Sequence, residues 1–429
     1  MFCHQCEYSP AGGCTKIGIC GKDENIASLQ DTIVFGLKGI AAYATHAREL
    51  GFVDPEVDGI SHEALYMTLT NSNFNLSEHI AMAMKVGTAT VKVMDLLDRA
   101  HTSKLGVPQP VTVSEDKIEG KCILVTGHNL FALEELLKQT EGKGVNIYTH
   151  SEMLPAHGYP QLKKYPHLKG NVGKAWYDQR KVFDEFPGAI LGTTNCLMPI
   201  KGSYSDRFFS YGVAGLEGVN KIENDDFTPI IEKALSLPSA NIDSDKTLVT
   251  GYHHDTVLGI APEIIDAVKS GKIKRFFVIA GCDAPGKGGE YYRELALSVP
   301  QNCVILTTSC GKFRFNDHDF GTVPGTNIPR YIDLGQCNNS GSAVKIAVAL
   351  AQAFGCSVNE LPLSIVLSWF EQKAVAILLG LFSLGVKNIY IGPKAPEFLS
   401  EGVVKVLQEN FNLKLTGNAA SDLKEMLGE

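Results

Sequence analysis

The two stretches that decide the fold are RFFVIAGC (residues 275–282) and CVILTTSCG (residues 303–311). Uninterrupted apolar runs that are rich in β-branched and aromatic residues and end at glycine are typical of buried parallel strands. Each run therefore predicts a strand that delivers a cysteine, Cys282 or Cys310, at its carboxyl end.

The same pattern, an apolar run that ends in a potential metal ligand, recurs in four further places. Two of these runs end in cysteine, GAILGTTNC (188–196) and RYIDLGQC (330–337). The other two, KCILVTGH (121–128) and SIVLSWFE (364–371), end in histidine and glutamate. Open α/β sheets bind their ligands just beyond the carboxyl ends of the strands. The six predicted strand ends thus offer four thiols, an imidazole and a carboxylate: Cys196, Cys282, Cys310, Cys337, His128 and Glu371.

Composition narrows the class of protein. With 429 residues the chain can form about two or three domains. Its net charge of -8 argues against nucleic acid or an anionic membrane surface as a partner, because both reward a basic face. The first residues lack the charged and apolar regions of a signal peptide, and no apolar stretch is long enough to span a bilayer. We therefore expect a cytoplasmic protein, in which eleven cysteines are metal ligands or free thiols rather than disulfides.

Four cysteines cluster at the amino terminus in the pattern Cys3-x2-Cys6-x7-Cys14-x5-Cys20. The intervening sequence is too rich in glycine for regular secondary structure, which suits wrapping around a compact iron-sulfur cluster. Zinc accepts four thiolates equally well and stays an alternative at this point. The spacing favours the iron-sulfur cluster, because zinc sites tend to come as two Cys-x2-Cys pairs.

Periodicity divides the rest of the chain. Apolar residues recur at three- and four-residue steps from 24 to 102, which predicts a helical bundle, and Gly87 on one stripe would let a neighbouring helix approach closely. Beyond the proline-containing linker at 106–110, strands and helices alternate as in doubly wound α/β units. The predicted class is α/β multidomain. The predicted units are a helical domain with the cysteine loop and two α/β domains: 1–105, 106–245 and 246–429.

The stretch GCDAPGKG (281–288) matches most of a phosphate-binding P-loop. Gly288 stands where the motif requires the Ser or Thr that binds Mg²⁺, and Pro285 removes one of the backbone donors that should cradle phosphate. We therefore do not expect nucleotide binding at this turn.

The other candidates each have an ordinary structural interpretation. Cys122, Cys303 and Cys356 lie among apolar residues and are interpreted as small buried hydrophobes. His128 could equally be a core histidine with its hydrogen bonds satisfied. Glu152 follows a predicted strand at 145–149 and would by default lie at the surface or cap a helix. Glu371 closes an apolar strand, where a buried charge needs a partner such as a metal or Lys373.

Taken together, these residues resemble the hybrid cluster proteins, also called prismane proteins or hydroxylamine reductases. The matching segments follow the order of that family along nearly the whole chain. They are the Cys3/Cys6/Cys14/Cys20 spacing, VTGH (125–128), EMLPAHGYP (152–160), TTNC (193–196), GCD (281–283), CGKF (310–313), GQCN (335–338) and SWFEQK (368–373).

The resemblance implies a fold, two cofactors and a ligand set. The fold is a helical amino-terminal domain followed by two Rossmann-like domains that hold a hybrid 4Fe-2O-2S cluster between them. The four amino-terminal cysteines would bind a 4Fe-4S cluster, and Cys282 is the position that can bear a persulfide. The implied ligands of the hybrid cluster are His128, Glu152, Cys196, Cys282, Cys310, Cys337 and Glu371.

The resemblance also implies an activity. It permits reduction of hydroxylamine to ammonia, reduction of nitric oxide to nitrous oxide, and protein S-nitrosylation, with electrons supplied by a redox partner protein through the 4Fe-4S cluster. Glu371, His128 and Cys282 would belong to the reactive site, where Lys373 would position or protonate the bound nitrogen oxide unless it is a surface lysine. A nitric oxide sensor without turnover is the alternative of another class. A carbon monoxide dehydrogenase relative, which would need nickel, is the rival enzyme.

The chain departs from the family's pattern in two ways. It lacks part of the helical domain found in longer members, so it resembles the truncated class, and Ala284-Pro285 replaces the usual glycine after Cys282-Asp283. The missing segment should leave an apolar surface uncovered on residues 26–102, since helix stripes of this width are normally buried. We therefore predict a homodimer formed through the helical domain.

Overall fold

The computed structural model describes residues 2–4, 6–115, 117–283, 285–368 and 371–429. Its α-helices are α1 (Glu24–Glu49), α2 (Pro55–Met67), α3 (Leu76–Leu105), α4 (Leu130–Thr140), α5 (Pro160–Lys163), α6 (Gln179–Glu185), α7 (Thr228–Ser236), α8 (His254–Gly259), α9 (Ala261–Lys269), α10 (Glu290–Ser298), α11 (Ser340–Phe354), α12 (Gln372–Ser383), α13 (Glu401–Phe411) and α14 (Ala419–Leu427). Its strands are β1 (Val111–Glu115), β2 (Ile118–Thr126), β3 (Val145–His150), β4 (Leu168–Asn171), β5 (Ala189–Gly192), β6 (Phe208–Tyr211), β7 (Asn220–Ile222), β8 (Ala240–Ile242), β9 (Thr247–Thr250), β10 (Arg275–Gly281), β11 (Cys303–Thr307), β12 (Tyr331–Asp333), β13 (Leu363–Ser368), β14 (Ile389–Gly392) and β15 (Lys414–Leu415).

The amino-terminal part is helical, as predicted. Each of its three long helices begins at a residue whose side chain accepts hydrogen bonds from the first turn: Asp23 for α1, Asp54 for α2 and Asn75 for α3. Pro55 occupies the first turn of α2, where its missing N–H costs nothing. Ahead of α1, the described residues form turns without helix or strand.

The apolar stripes of α1 and α3 are covered by α12, which comes from the carboxyl-terminal part of the chain. Val375 and Leu379 of α12 are buried in one core with the apolar residues of both helices. The predicted uncovered surface is therefore not on these two stripes, which a helix remote in sequence covers. Six large apolar side chains between the end of α1 and the start of α3 do remain exposed: Val53, Leu65, Tyr66, Leu69, Phe74 and Leu76. A homodimer stays a prediction.

Gly87 permits the close approach that its place on the α3 stripe predicted. A Cβ atom at this position would collide with the carbonyl oxygen of Leu379 on α12. We predict that Gly87→Ala lowers the free energy of unfolding by about 1–3 kcal/mol, since a methyl group must push two packed helices apart. Chemical denaturation measures this change. Gly59→Ala on α2, where an added Cβ meets nothing within 4 Å, is the matched control and should raise the free energy of unfolding by about 0.5–1 kcal/mol, because alanine is the better helix former.

The first sheet has nine strands in the order β7-β6-β5-β2-β3-β4-β1-β9, with β8 paired to β2. Strands β1 to β7 pair in parallel, while β8 and β9 pair antiparallel. The central strands are buried on both faces, which is why they appear in the sequence as continuous apolar runs. β9 lies beyond the predicted boundary at 245 and completes the edge of this sheet.

The second sheet is entirely parallel, in the order β12-β11-β10-β13-β14-β15. β11 and β12 are added on one side of β10, and β13 to β15 are added on its other side. This doubly wound order confirms the predicted fold class and creates a switch point at the carboxyl end of β10, where such sheets bind ligands. None of the described helices combines the length and the apolar character that a membrane span requires.

Candidate metal centre between the two sheets

The carboxyl ends of the two sheets face each other across one interface. Ser151 Oγ, after β3, lies 3.1 Å from Cys310 Sγ, after β11. The Trp176 indole N–H donates to the carbonyl oxygen of Cys282 at 2.8 Å. These contacts bring strand ends from sheets that are remote in sequence into one buried region.

All six predicted strand-end residues follow their strands within four residues. Cys282 comes directly after β10, and the others follow β2, β5, β11, β12 and β13. One boundary differs from the prediction. β13 ends at Ser368 rather than at Glu371, and Glu371 is the N-cap of α12, where its Oε1 accepts from the Lys373 backbone N–H at 3.0 Å. Trp369 and Phe370 lie outside the described residues, as does Ala284.

The turns that carry these residues contain backbone conformations that non-glycine residues rarely adopt. Cys196 itself has φ +69°, and Ser151, Asp283 and Ser309, each next to a candidate ligand, also have positive φ. Gly281 has φ +115°, and a Cβ there would collide with the Ser368 backbone. Non-glycine residues in this region of φ are uncommon and cluster at functional sites. The residues with unfavourable backbone conformations therefore lie at or next to the candidate metal ligands.

His128 is held as a neutral imidazole with Nε2 turned toward the centre. Its Nδ1 lies 2.8 Å from Thr194 Oγ1, and its Nε2 lies 2.9 Å from Lys373 Nζ and 3.8 Å from Glu152 Oε2. Burial, together with nearby Lys373 and His46, lowers the pKa of His128 well below its usual value. An ammonium group can only donate, so Lys373 sets the tautomer that has its lone pair at Nε2, and Nδ1–H donates to Thr194 Oγ1.

Glu152 is buried with half of its hydrogen-bonding capacity unused. Oε2 accepts from the Cys337 backbone N–H at 2.8 Å, whereas Oε1 has no hydrogen-bond partner among the described residues. Burial raises the pKa of this carboxyl. The ligand atoms of His128, Glu152 and Cys337 lie within 4.8 Å of one another. A buried, partly unpaired carboxylate beside a thiol and an imidazole lone pair fits a metal cation. The default interpretation as a surface or capping residue is wrong.

The four strand-end thiols are held close to the carboxylates and to each other. Burial raises the pKa of Cys196 to about 12 and of Cys337 to about 11, and raises those of Cys282 and Cys310 well above the ordinary thiol value. Neighbouring carboxylates and thiols add to the rise at Cys282, Glu371 foremost. Such a site stabilises thiolates only when a cation is present, so metal binding would release protons.

Lys373 is buried, which excludes the alternative that it is a surface lysine. Its side chain is 4% exposed, and Nζ donates to His128 Nε2 and, at 3.1 Å, to Asn195 Oδ1. Burial opposes its charge, but the neighbouring Cys337, Cys196 and Glu371 outweigh burial and raise its pKa. Lys373 is thus an ammonium group among acidic ligands.

The amino-terminal cysteines also converge. Cys3, Cys6, Cys14 and Cys20 line one small cavity with Lys22 and Thr70. The Cys14 backbone N–H donates to the carbonyl oxygen of Cys3 at 3.1 Å, which closes the loop on itself. Four partly exposed thiols around one cavity can bind a single metal cluster.

Comparison with known proteins places this geometry in a family. The Prismane/CO dehydrogenase family is matched over residues 1–82 and 50–424. The chain belongs to this family. It is 60% identical to a hydroxylamine reductase of Moorella thermoacetica over 429 residues, the whole of both proteins. A hydroxylamine reductase of Syntrophobacter fumaroxidans is 50% identical over 405 residues, which are 94% of this chain and 74% of that longer protein.

The family fold extends to solved structures of low sequence identity. A Ni-free carbon monoxide dehydrogenase from Thermococcus sp. AM4 superposes with a TM-score of 0.78 at 16% identity, covering 100% of this chain and 90% of that one. At this identity the likeness concerns the fold alone. It confirms the multidomain α/β architecture that the strand pattern predicted.

Several residues close to the candidate metal centre were not predicted from the sequence. Lys312 is fully buried and pairs with Asp333 Oδ1 at 2.6 Å while donating to the carbonyl oxygen of Gly335 at 2.8 Å. Asn195 Nδ2 donates to Glu371 Oε2 at 3.4 Å. Tyr43, on α1, lies beside the Cys337 thiol. A lysine in a short turn and a tyrosine on an amphipathic helix carry no signal of burial at a remote site.

The cysteines interpreted as hydrophobes divide in two. Cys122 and Cys303 are buried in apolar cores, as predicted. Cys356 is only half buried and packs against the edge of a core. None of these three cysteines belongs to the set of candidate metal ligands at the strand ends.

Proposed function

We propose that this chain is a hydroxylamine reductase that converts hydroxylamine to ammonia at a hybrid 4Fe-2O-2S cluster. Full-length relatives named hydroxylamine reductase at up to 60% identity support the activity. Buried Glu152 supports the cofactor most directly, since its Oε1 has no hydrogen-bond partner among the described residues and its carboxylate lies beside the His128 imidazole and the Cys337 thiol.

The residues present fit such a cluster. Thiolates select iron-sulfur centres, whereas imidazole and carboxylate suit an iron that also takes oxygen ligands. We assign the cluster to seven ligands, with Cys282 able to bear a persulfide: His128, Glu152, Cys196, Cys282, Cys310, Cys337 and Glu371. When bound, the cluster supplies electrons and an iron with an open position for the nitrogen oxide.

The chain's own side chains prepare the site for proton-coupled reduction. Hydroxylamine takes up two electrons and two protons, the N–O bond breaks, and ammonia and water leave. Lys373 holds a proton at Nζ beside His128 Nε2, and Asn195 Oδ1 holds the ammonium group in place. If Nε2 binds iron, its lone pair would no longer accept from Lys373, and the N–H that points toward it would be free to donate to the substrate. Most of the site is buried, with Asn195 exposed and Cys196 and Glu371 half-buried, and burial strengthens the charge–dipole interactions of His128, Glu152 and Lys373.

Electrons enter through the amino-terminal loop in this proposal. Cys3, Cys6, Cys14 and Cys20 would hold a 4Fe-4S cluster, which would supply electron transfer from a redox partner protein. We predict that Cys14→Ala abolishes the electron paramagnetic resonance signal of that cluster and leaves the other cluster's signal. Stoichiometric zinc in anaerobically purified wild-type protein would contradict the assignment.

The function is tested by ammonia production. Anaerobically purified, reduced protein is incubated with hydroxylamine, and ammonia is measured alongside iron and nickel content. Catalytic ammonia formation by nickel-free protein is expected. Nitric oxide binding without turnover of either nitrogen oxide would identify a sensor, and stoichiometric nickel would identify a carbon monoxide dehydrogenase relative.

A further inference from the structure

A small polar cavity lies where the helical bundle meets both sheets. Lys373, His128 and Asn195 line it from the side of the candidate metal centre. Tyr43 and His46 of α1 and His101 of α3 line it from the side of the helices. The cavity therefore joins the helical domain directly to the proposed reactive site.

Buried polar atoms without partners are concentrated around this cavity. His101 Nδ1 and Asn338 Nδ2 have no hydrogen-bond partner among the described residues, and Tyr43 Oη lies beside the Cys337 thiol alone. All three residues line the cavity. They are only 2–3% exposed. Nearly all buried polar groups in folded proteins are paired, because an unpaired one loses its hydration without compensation. Two such atoms, with the Tyr43 hydroxyl on the same space, indicate that the space receives a hydrogen-bonding molecule.

The available groups define the chemistry of that molecule. The side-chain amide of Asn338 donates a hydrogen bond, and the Tyr43 hydroxyl can donate or accept. The neutral His101 ring donates at one nitrogen and accepts at the other. His101 stays neutral because burial, with His46 nearby, lowers its pKa to about 3. The Lys373 ammonium at the inner wall disfavours a cation. The pocket thus suits a small neutral molecule that both donates and accepts hydrogen bonds.

The outer wall separates the cavity from solvent by a single layer of side chains. His46 is partly exposed, and its Nδ1 lies 3.4 Å from Oε2 of the surface residue Glu49. Glu49 Oε2 also accepts a hydrogen bond at 3.0 Å from the side-chain amide of Asn129, which follows His128 in the chain. The cavity therefore lies just beneath the surface.

We infer that this cavity is the substrate pocket of the proposed reductase, in which Tyr43, His101 and Asn338 position hydroxylamine beside Lys373. The inference rests on the proposed function and adds a basis for specificity. Hydroxylamine carries N–H and O–H donors and lone pairs that can satisfy the unpaired groups. Nitric oxide has no hydrogen to donate and would leave them unpaired, which is how a polar site rejects an analogue.

Steady-state kinetics of three variants test the pocket. His101→Leu and Tyr43→Phe are each expected to raise the KM for hydroxylamine about tenfold, the size expected for one lost hydrogen bond in a buried site. His101→Asn, which keeps a hydrogen-bonding side chain, should recover part of the loss. The nitric oxide affinity of the reduced protein, from spectroscopic titration, should stay within about twofold of the wild type in all three.

A matched control separates the pocket from general damage to the fold. His79 is a fully buried histidine on the same helix α3, but it lies outside the cavity and contacts Gln30 and the Asn75 carbonyl. His79→Leu should leave the KM for hydroxylamine unchanged at equal iron content.

Two outcomes would overturn the inference. An unchanged KM in His101→Leu and Tyr43→Phe would show that the cavity holds only water, with the proposed function intact. An equal loss of hydroxylamine and nitric oxide affinity together with iron would assign these residues to cluster integrity. Wild-type protein that makes no ammonia from hydroxylamine would instead refute the proposed function, and the pocket with it.

Discussion

Glu371→Gln and His128→Ala are expected to lower hydroxylamine turnover at least about 100-fold while most of the bound iron is retained. Residues that merely orient a metal ligand already cost about 10- to 100-fold when changed, so loss of a direct ligand should cost more. The sulfur-rich part of the site is unaffected, because four thiols still converge on it. Activity should therefore fall much further than iron content, measured on the same anaerobic preparations.

The choice of glutamine at position 371 isolates the ligand from the helix cap. Glu371 also caps α12, and loss of a cap costs about 1 kcal/mol of stability. Glutamine keeps an oxygen that can accept from the Lys373 backbone N–H but lacks the negative charge. The thermal unfolding midpoint should stay close to that of the wild type. Near-wild-type turnover in Glu371→Gln and His128→Ala would remove both residues from the reactive site.

Lys373→Met is expected to reduce turnover by about 10²- to 10⁴-fold, the usual contribution of a positioned general acid. The iron content should be unchanged, because Lys373 is not an assigned ligand. Methionine fills a similar volume without the proton that Nζ holds between His128 and Asn195. The readout is kcat for hydroxylamine at fixed iron content.

Lys312→Met is the matched control, since the two lysines are both buried in the same region. Lys312 is paired with Asp333, and breaking a buried pair leaves an uncompensated charge that costs about 3–5 kcal/mol. Lys312→Met should therefore lose stability, and Lys373→Met should lose activity. A Lys373→Met protein with wild-type kcat would exclude the residue as a proton donor.

Much of the fold and most of the site could be predicted because the signals are local. A strand buried on both faces appears as an apolar run, and the residue that ends the run lies at the sheet edge where ligands bind. Cys282 and Cys310 were predicted in this way. Gly87 could be interpreted from its place on an apolar helical stripe, since only glycine lets two helix backbones approach so closely.

The rest depends on contacts between remote segments, which periodicity does not encode. The covering of α1 and α3 by α12 was missed because α12 is separated from them by both sheets in sequence. The partners of Lys312 and Lys373 were missed for the same reason. Tyr43 and His101 occupy ordinary helical positions, and only the assembled fold shows that their polar atoms meet at one cavity.

The measurement that tests the central claim most directly is the location of iron in crystals grown without oxygen. An anomalous difference map at the iron absorption edge should show two separate groups of iron atoms. One group should lie at Cys3, Cys6, Cys14 and Cys20. The other should lie within bonding distance of the thiols of Cys196, Cys282, Cys310 and Cys337, the Nε2 of His128 and the carboxylates of Glu152 and Glu371. Iron confined to the amino-terminal loop would contradict the account.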